Sequence, residues 1–303
     1  VRRVGVLLFA AVPVAVAAGV YFLVPAESGD SAGGESAVVT AQEGSRQEAR
    51  SRAEQERSAD DELIASLPPG LAAPAKKELA QQLVATAESS TLDWRRTYGD
   101  IEDLDDGQGY TAGTIGFCTG THDLLTLVEN YTEAHPDNGL ARYLPALRAV
   151  DGTDSHEGLD PGFPAAWKAE AEVKAFRAAQ DAERDRAYFD PAVRLAKLDG
   201  LGTLGQFVYY DAMVFHGAGI DEDGFYVLRE RALRKVESPA RGGSEKAYLD
   251  AFLDVRRAAM RERRPGADTS RVDTAQRRFL EEGNLKLSTP LTWQVYGETY
   301  RVP

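Results

Sequence analysis

Two carboxylates stand out by position. Glu88 comes four residues after Val84, at the end of a stretch from Pro74 to Glu88. The apolar residues of that stretch (Leu79, Leu83, Val84 and Ala87) recur at helical spacing. Glu88 therefore borders the apolar stripe, where a carboxyl is partly desolvated and suited to hold a proton it can donate. Helix-end pairing with Arg95 or Arg96 is the plainer use of the same residue. Asp106 closes the run Ile101-Glu102-Asp103-Leu104-Asp105-Asp106 and precedes Gly107-Gln108-Gly109, a turn that opens a strand at Tyr110. A carboxylate at the lip of such a turn can accept a proton, although an acidic solvated turn reads the same way. One donor and one acceptor are what general acid–base chemistry requires.

Other chemistries find no pattern. A calcium loop with Gly107 sixth would put Leu104 third and Gly113 twelfth, neither of them a ligand. No Lys-Ser/Thr pair follows the glycines, so a phosphate loop fails. His122, His135, His156 and His216 are scattered without metal-ligand spacing, and we expect no metal and no cofactor. The lone cysteine, Cys118, sits in the apolar run Ile115-Gly116-Phe117-Cys118 and reads as a small buried residue. A net charge of -13 excludes nucleic acid as partner. It suits a cationic substrate, or solubility alone.

The elements that must position these residues lie after residue 66. Residues 1–26 read as a targeting segment: Arg2 and Arg3, then a charge-free run over 4–24, then Val24-Pro25-Ala26. Two readings stay open, a signal peptide cleaved after Ala26 or an uncleaved anchor tethering the chain to a membrane through residues 4–24. Either exports the remainder. Residues 27–66 are polar and poor in large apolar side chains, and are expected to form a disordered linker, with at most a polar helix over 47–57. Residues 67–303 form the folded domain. Helices are expected over 74–88, 123–133, 138–150, 165–185, 190–198, 205–215 and 244–264, and strands over 110–117 and 293–300. The sum is an α-rich α+β domain with a small sheet near Tyr110. Trp94, Trp167 and Trp293 are expected in the core. Nothing indicates an oligomer, and a monomer is the default.

Longer motifs carry a family resemblance. Glu88-Ser89-Ser90, Leu92-Asp93-Trp94, the Ile101–Thr111 run and Gly116-Phe117-Cys118 with Gly120-Thr121 and Asp123 resemble the glycoside hydrolase family 46 chitosanases. So do Tyr143–Leu147, Asp185–Ala192, Gly205–Ala212, Phe252-Leu253-Asp254 with Arg256, and Asp268–Thr274. The resemblance covers Leu67 to the C-terminus and implies a lysozyme-like fold, mainly helical, with two lobes, a small sheet and a substrate cleft between the lobes. It implies endo-hydrolysis, with inversion, of β-1,4 linkages in chitosan and glucosamine oligosaccharides. By the same resemblance Glu88 is the general acid, Asp106 the general base, and Thr111 helps hold the attacking water. Asp123 binds a substrate amine, and Arg271, Asp211 and Arg256 form a buried charge network touching the acid. Tyr188 and His216 are candidates to line the cleft, with core roles equally open.

One departure stands beside the base. Gln108 occupies the place in the Asp-Gly-x-Gly turn where relatives are expected to carry arginine, which puts substrate positioning there in question. An inverting enzyme needs two carboxyls about 6.5–9.5 Å apart with a water between one of them and the sugar. Two other functions compete. A lysozyme-like hydrolase of peptidoglycan is disfavoured by the acidity, since bacterial walls are anionic. A non-catalytic polysaccharide-binding surface protein is disfavoured by the presence of both Glu88 and Asp106.

Overall fold

The structure, a computed structural model, describes residues 35–219 and 221–303. The leader expected over 1–26 lies outside the described residues. Compactness divides the chain into a unit ending at Arg57 and a unit from Ser58 to Pro303. The described residues of the first unit are helical and belong to α1 (Glu35–Ser66). Of the stretch expected as a disordered linker over 27–66, the described part, residues 35–66, is helical here. From Ser45 to Ser66 the chain has no Gly or Pro and is rich in Ala, Glu, Gln and Arg, all strong helix formers. Arg50 and Arg52 each precede a glutamate by four residues, a spacing that adds side-chain support. Pro68 ends the helix by disfavouring helical backbone just before it. No described helix is long and apolar enough to cross a membrane.

The second unit is mainly helical. α2 (Pro74–Glu88) leads to a three-stranded antiparallel sheet of β1 (Ile101–Asp103), β2 (Tyr110–Ala112) and β3 (Phe117–Cys118). α3 (Asp123–Ala134), α4 (Leu144–Val150), α5 (Phe163–Glu170) and α6 (Lys174–Arg184) follow. Next come α7 (Asp190–Leu198), α8 (Thr203–His216), α9 (Phe225–Leu233), α10 (Glu245–Arg263) and α11 (Arg277–Glu281). The hairpin of β4 (Leu291–Val295) and β5 (Glu298–Val302) closes the chain. Asp185–Phe189 and Arg271–Gln276 are π-helical.

Two hydrophobic cores make the two lobes. One gathers α2, α7, α8, α9, α10, α11 and β4 around Tyr209, Tyr248, Phe252 and Trp293. The other gathers the sheet with α3, α5 and α6 around Phe117, Phe163, Trp167 and Phe176. Tyr188 and Val214 pack against both. The lysozyme-like, mainly α arrangement with a small sheet is thus present. Trp94, Trp167 and Trp293 are buried, as is Cys118.

Element boundaries differ from the periodic reading where the backbone breaks locally. The helix expected over 165–185 is interrupted at Val173, whose ψ of 122° is extended. The strand expected over 293–300 is a hairpin, because Tyr296 and Gly297 both take left-handed backbone. Residues 138–143 make a short tight turn before α4 in place of its first turns.

Candidate active site

Glu88 is the last residue of α2, and its side chain keeps 26% of its surface exposed. The apolar stripe behind it packs into the first core, so the helix axis is fixed while the terminal carboxyl faces outward. One oxygen lies 2.7 Å from Nη2 of Arg271. That same nitrogen donates to Asp211 Oδ1 at 2.9 Å, and Arg256 Nη1 donates to Asp211 Oδ2, also at 2.9 Å. Gln276 completes the cluster, donating to Asp211 Oδ2 at 2.6 Å and accepting from Arg256 at 2.9 Å. The Arg271 guanidinium lies 4.7 Å from the centre of the Phe215 ring.

Asp211, Arg271, Arg256 and Gln276 are all buried, and only the Glu88 end of the cluster is open. Burial alone would raise the Asp211 carboxyl, but Arg271 and Arg256 outweigh it and bring the pKa to about 2. Burial would lower Arg271, and the carboxylates of Asp211 and Glu88 instead hold it above its ordinary value. Arg256, further from Glu88 along the chain of charges, is drawn down by burial to about 10 against the pull of Asp211. With Glu88 ionised, two cations face two anions, so no buried charge stands alone.

Asp106 sits on the other element. It is exposed in the turn between β1 and β2, and its Oδ1 accepts from the Gln108 backbone at 3.1 Å. Asp103 braces the foot of the turn by accepting from the Asp105 backbone at 2.8 Å. Asp103 Oδ2 also lies 3.0 Å from His156 Nε2, an ion-pair distance without hydrogen-bond alignment. The His156 ring stacks on Tyr110 at 4.0 Å between centroids. The turn packs closely on its neighbours: a Cβ at Gly109 would come within 2.3 Å of Thr119 Oγ1, and one at Gly120 within 2.9 Å of the Gln108 carbonyl. Thr111 lies in β2 opposite both Glu102 and Cys118, its hydroxyl 3.2 Å from the Cys118 sulfur. Burial pushes the Cys118 thiol up to about 12, which removes it as a nucleophile at neutral pH.

Asp123 opens α3. Its Oδ1 accepts from Cys118 N (2.9 Å), Leu124 N (2.9 Å) and the Thr121 hydroxyl (2.7 Å), and its Oδ2 accepts from Tyr188 at 2.5 Å. Burial raises the pKa of this carboxyl, and those neutral donors oppose the rise. Among the described residues no basic side chain pairs with it within 4 Å. Tyr188 comes from the π-helical stretch between α6 and α7, so the Asp123–Tyr188 bond joins two elements where both cores meet. His216 ends α8 and is only 9% exposed, with neither ring nitrogen hydrogen-bonded. Burial, then Arg256 and Arg271, hold its pKa well below the ordinary value, so the ring is neutral. It is a buried neighbour of the charge cluster.

The structure therefore gathers Glu88, Arg271, Asp211 and Arg256 into one cluster and Asp123, Thr111 and Tyr188 around Cys118. The sequence reading missed Gln276, Phe215 and His156. Gln276 follows Arg271 by five residues, which at the α-helical period is ~140° away around the axis and hides their shared face. The π-helical turn brings both to Asp211.

The pattern of glycosyl hydrolase family 46 matches residues 82–291, well over half of the chain. The chain belongs to that family. A chitosanase of Streptomyces sp. (strain N174) is 54% identical over 231 residues, covering 76% of this chain and 83% of that protein. The Bacillus subtilis (strain 168) chitosanase is 45% identical over 184 residues, covering 60% of this chain and 66% of it. Among solved structures, a chitosanase co-crystallised with substrate superposes with a TM-score of 0.76 at 53% identity, over 77% of this chain and 99% of that one. A Gynuella sunshinyii family 46 chitosanase in complex with chitotetraose superposes with a TM-score of 0.70 at 34% identity, over 75% and 97%.

Proposed function

We propose that this chain is a chitosanase that cleaves β-1,4 linkages within glucosamine polymers, with inversion, using Glu88 as general acid and Asp106 as general base. Glu88 hands its proton to the oxygen of the leaving sugar. Asp106 takes a proton from a water attacking the opposite face of the ring, a water that Thr111 helps to hold. The observation that carries the assignment of the acid is the buried train Arg256–Asp211–Arg271 that ends on the half-open Glu88 carboxyl. Such a train fixes the orientation of one carboxyl at the surface and stabilises its anion once the proton has left. Asp123 supports a cationic substrate. Its half-buried carboxylate takes hydrogen bonds from neutral groups only, and a glucosamine ammonium would supply the missing counter-charge. The net charge of -13 attracts such a polymer from a distance. A polymer substrate is met outside the cell, which accords with the leader expected over residues 1–26.

The test is product release from soluble chitosan by the full chain, with the anomer of the first product read by NMR. The parent should release α-anomer first. Glu88→Gln and Asp106→Asn should each lose roughly 10²–10⁴-fold in turnover while still binding the polymer. Full turnover by Glu88→Gln would remove it as the acid. Hydrolysis of cell walls without hydrolysis of chitosan would move the enzyme to a different glycan.

A further inference from the structure

The C-terminal hairpin carries a residue that its own turn disfavours. β4 and β5 pair from Leu291↔Val302 to Val295↔Glu298, leaving Tyr296 and Gly297 as the two-residue connection. Their φ values are 52° and 81°, a pair of left-handed residues in which Asn, Asp and Gly are at ease. A bulky tyrosine in that conformation is strained. Burial does not compensate, because the residue is 49% exposed.

The hydroxyl has a specific partner. Tyr296 Oη donates to the carbonyl of Ala87 at 3.0 Å. Ala87 lies in the last turn of α2, where carbonyls have no partner within the helix, and it is bonded directly to Glu88. The same hairpin grips the segment bearing Arg271. Tyr296 N donates to Ser270 Oγ at 2.9 Å, and Thr274 Oγ1 donates to the Gln294 carbonyl at 2.7 Å. A third tie runs from Trp293 Nε1 to Thr86 Oγ1 at 3.0 Å. The hairpin thus bridges the two pieces of chain whose side chains meet as Glu88 and Arg271. It begins at residue 291, where the match to the family pattern ends.

We propose that Tyr296 is a positioning residue for the general acid, its hydroxyl fixing the last turn of α2 so that the Glu88 carboxyl meets the glycosidic oxygen in register. The proposal rests on the reading of Glu88 as the acid. It accounts for a strained tyrosine at the tip of an exposed turn, and for a hairpin that ties to both sides of the Glu88–Arg271 pair.

The experiment compares Tyr296→Phe, Tyr296→Asn and Glu88→Gln with the parent, all as the full chain, by steady-state kinetics on soluble chitosan and by thermal melting. Both Tyr296 variants should lose roughly tenfold in kcat, since a small misplacement of a reacting group costs that much, with KM within about twofold. Tyr296→Asn should melt at or above the parent, because asparagine suits the turn. Loss of rate without loss of stability is a combination that a purely structural tyrosine does not produce. Parental kcat in Tyr296→Phe would overturn the proposal while an inactive Glu88→Gln left the acid assignment standing. A raised KM at unchanged kcat would overturn it in favour of direct contact with the sugar. A fall in rate matched by a fall in melting temperature in both variants would reduce Tyr296 to a fold residue. Normal turnover by Glu88→Gln would remove the acid assignment and the proposal together.

Discussion

Replacing Asp211 by Asn takes one anion from a buried site where it faces Arg256 and Arg271 at 2.9 Å each. Arg271 keeps Glu88, but Arg256 is left fully buried with neutral partners and no counter-charge. Breaking a buried pair in this way costs about 3–5 kcal/mol. For a unit of this size, each kcal/mol moves the melting temperature by about 2–4 °C, so the fall should be roughly 6–20 °C. The pH dependence gives an independent check. The Asp211 pKa is depressed to about 2 in the folded protein, below its unfolded value of about 3.9. Its stabilisation is therefore complete above pH ~5 and is lost progressively as pH falls through ~2, a change of about 2–3 kcal/mol. Other carboxylates titrate in the same range in both proteins, so the parent-minus-variant difference isolates this group. Urea unfolding of both at pH 5, 4, 3 and 2.5 should show that difference shrinking toward acid. Turnover on chitosan should fall as well, because Arg271 loses the anion that orients it toward Glu88. Unchanged melting, a pH-independent difference and parental turnover would refute the account of the cluster as one electrostatic unit.

Two further expectations concern the neighbouring groups. Asp123→Asn should raise KM for highly deacetylated chitosan roughly tenfold with little change in kcat, the worth of one charge-assisted contact in a partly desolvated site; an unchanged KM would remove the amine contact. His216 is neutral when folded but gains a proton below about pH 6.5 when unfolded, so it costs the parent stability as pH falls below that value. Relative to His216→Gln, the parent should lose about 1 kcal/mol per pH unit between pH 6.5 and 5, and identical pH slopes would show that the buried ring is charged.

Much of this enzyme was written in local pattern. The apolar stripe of residues 79–87 determined that α2 exists and that Glu88 sits at the border of its buried face, because burial at period 3.6 is a property of neighbouring residues alone. The Asp-Gly-x-Gly turn determined that Asp106 stands at the mouth of a strand, since those glycines serve positive φ and close backbone approach. The acidic composition and the single buried cysteine limited the partners and the chemistry. In the polar stretch before Leu67 the sequence suggested a helix over 47–57 alone, because weak amphipathicity hides a longer one whose support is propensity and charge spacing.

What only the tertiary structure decided is which distant groups share a space. Arg271 and Glu88 are far apart in sequence and meet because two helices are fixed in one core. Gln276 reaches the same carboxylate through a π-helical turn that no α-helical period reveals. For His216 the sequence left a place in the cleft and one in the core equally open, and the packing of α8 buries it beside two guanidinium groups. Tyr296 looked like part of one continuous strand, and the hairpin turns its hydroxyl onto the end of the acid-bearing helix. Sequence periodicity records which side of an element is buried; which other element covers it is set by long-range packing, where a few hydrogen bonds across the core choose the partners.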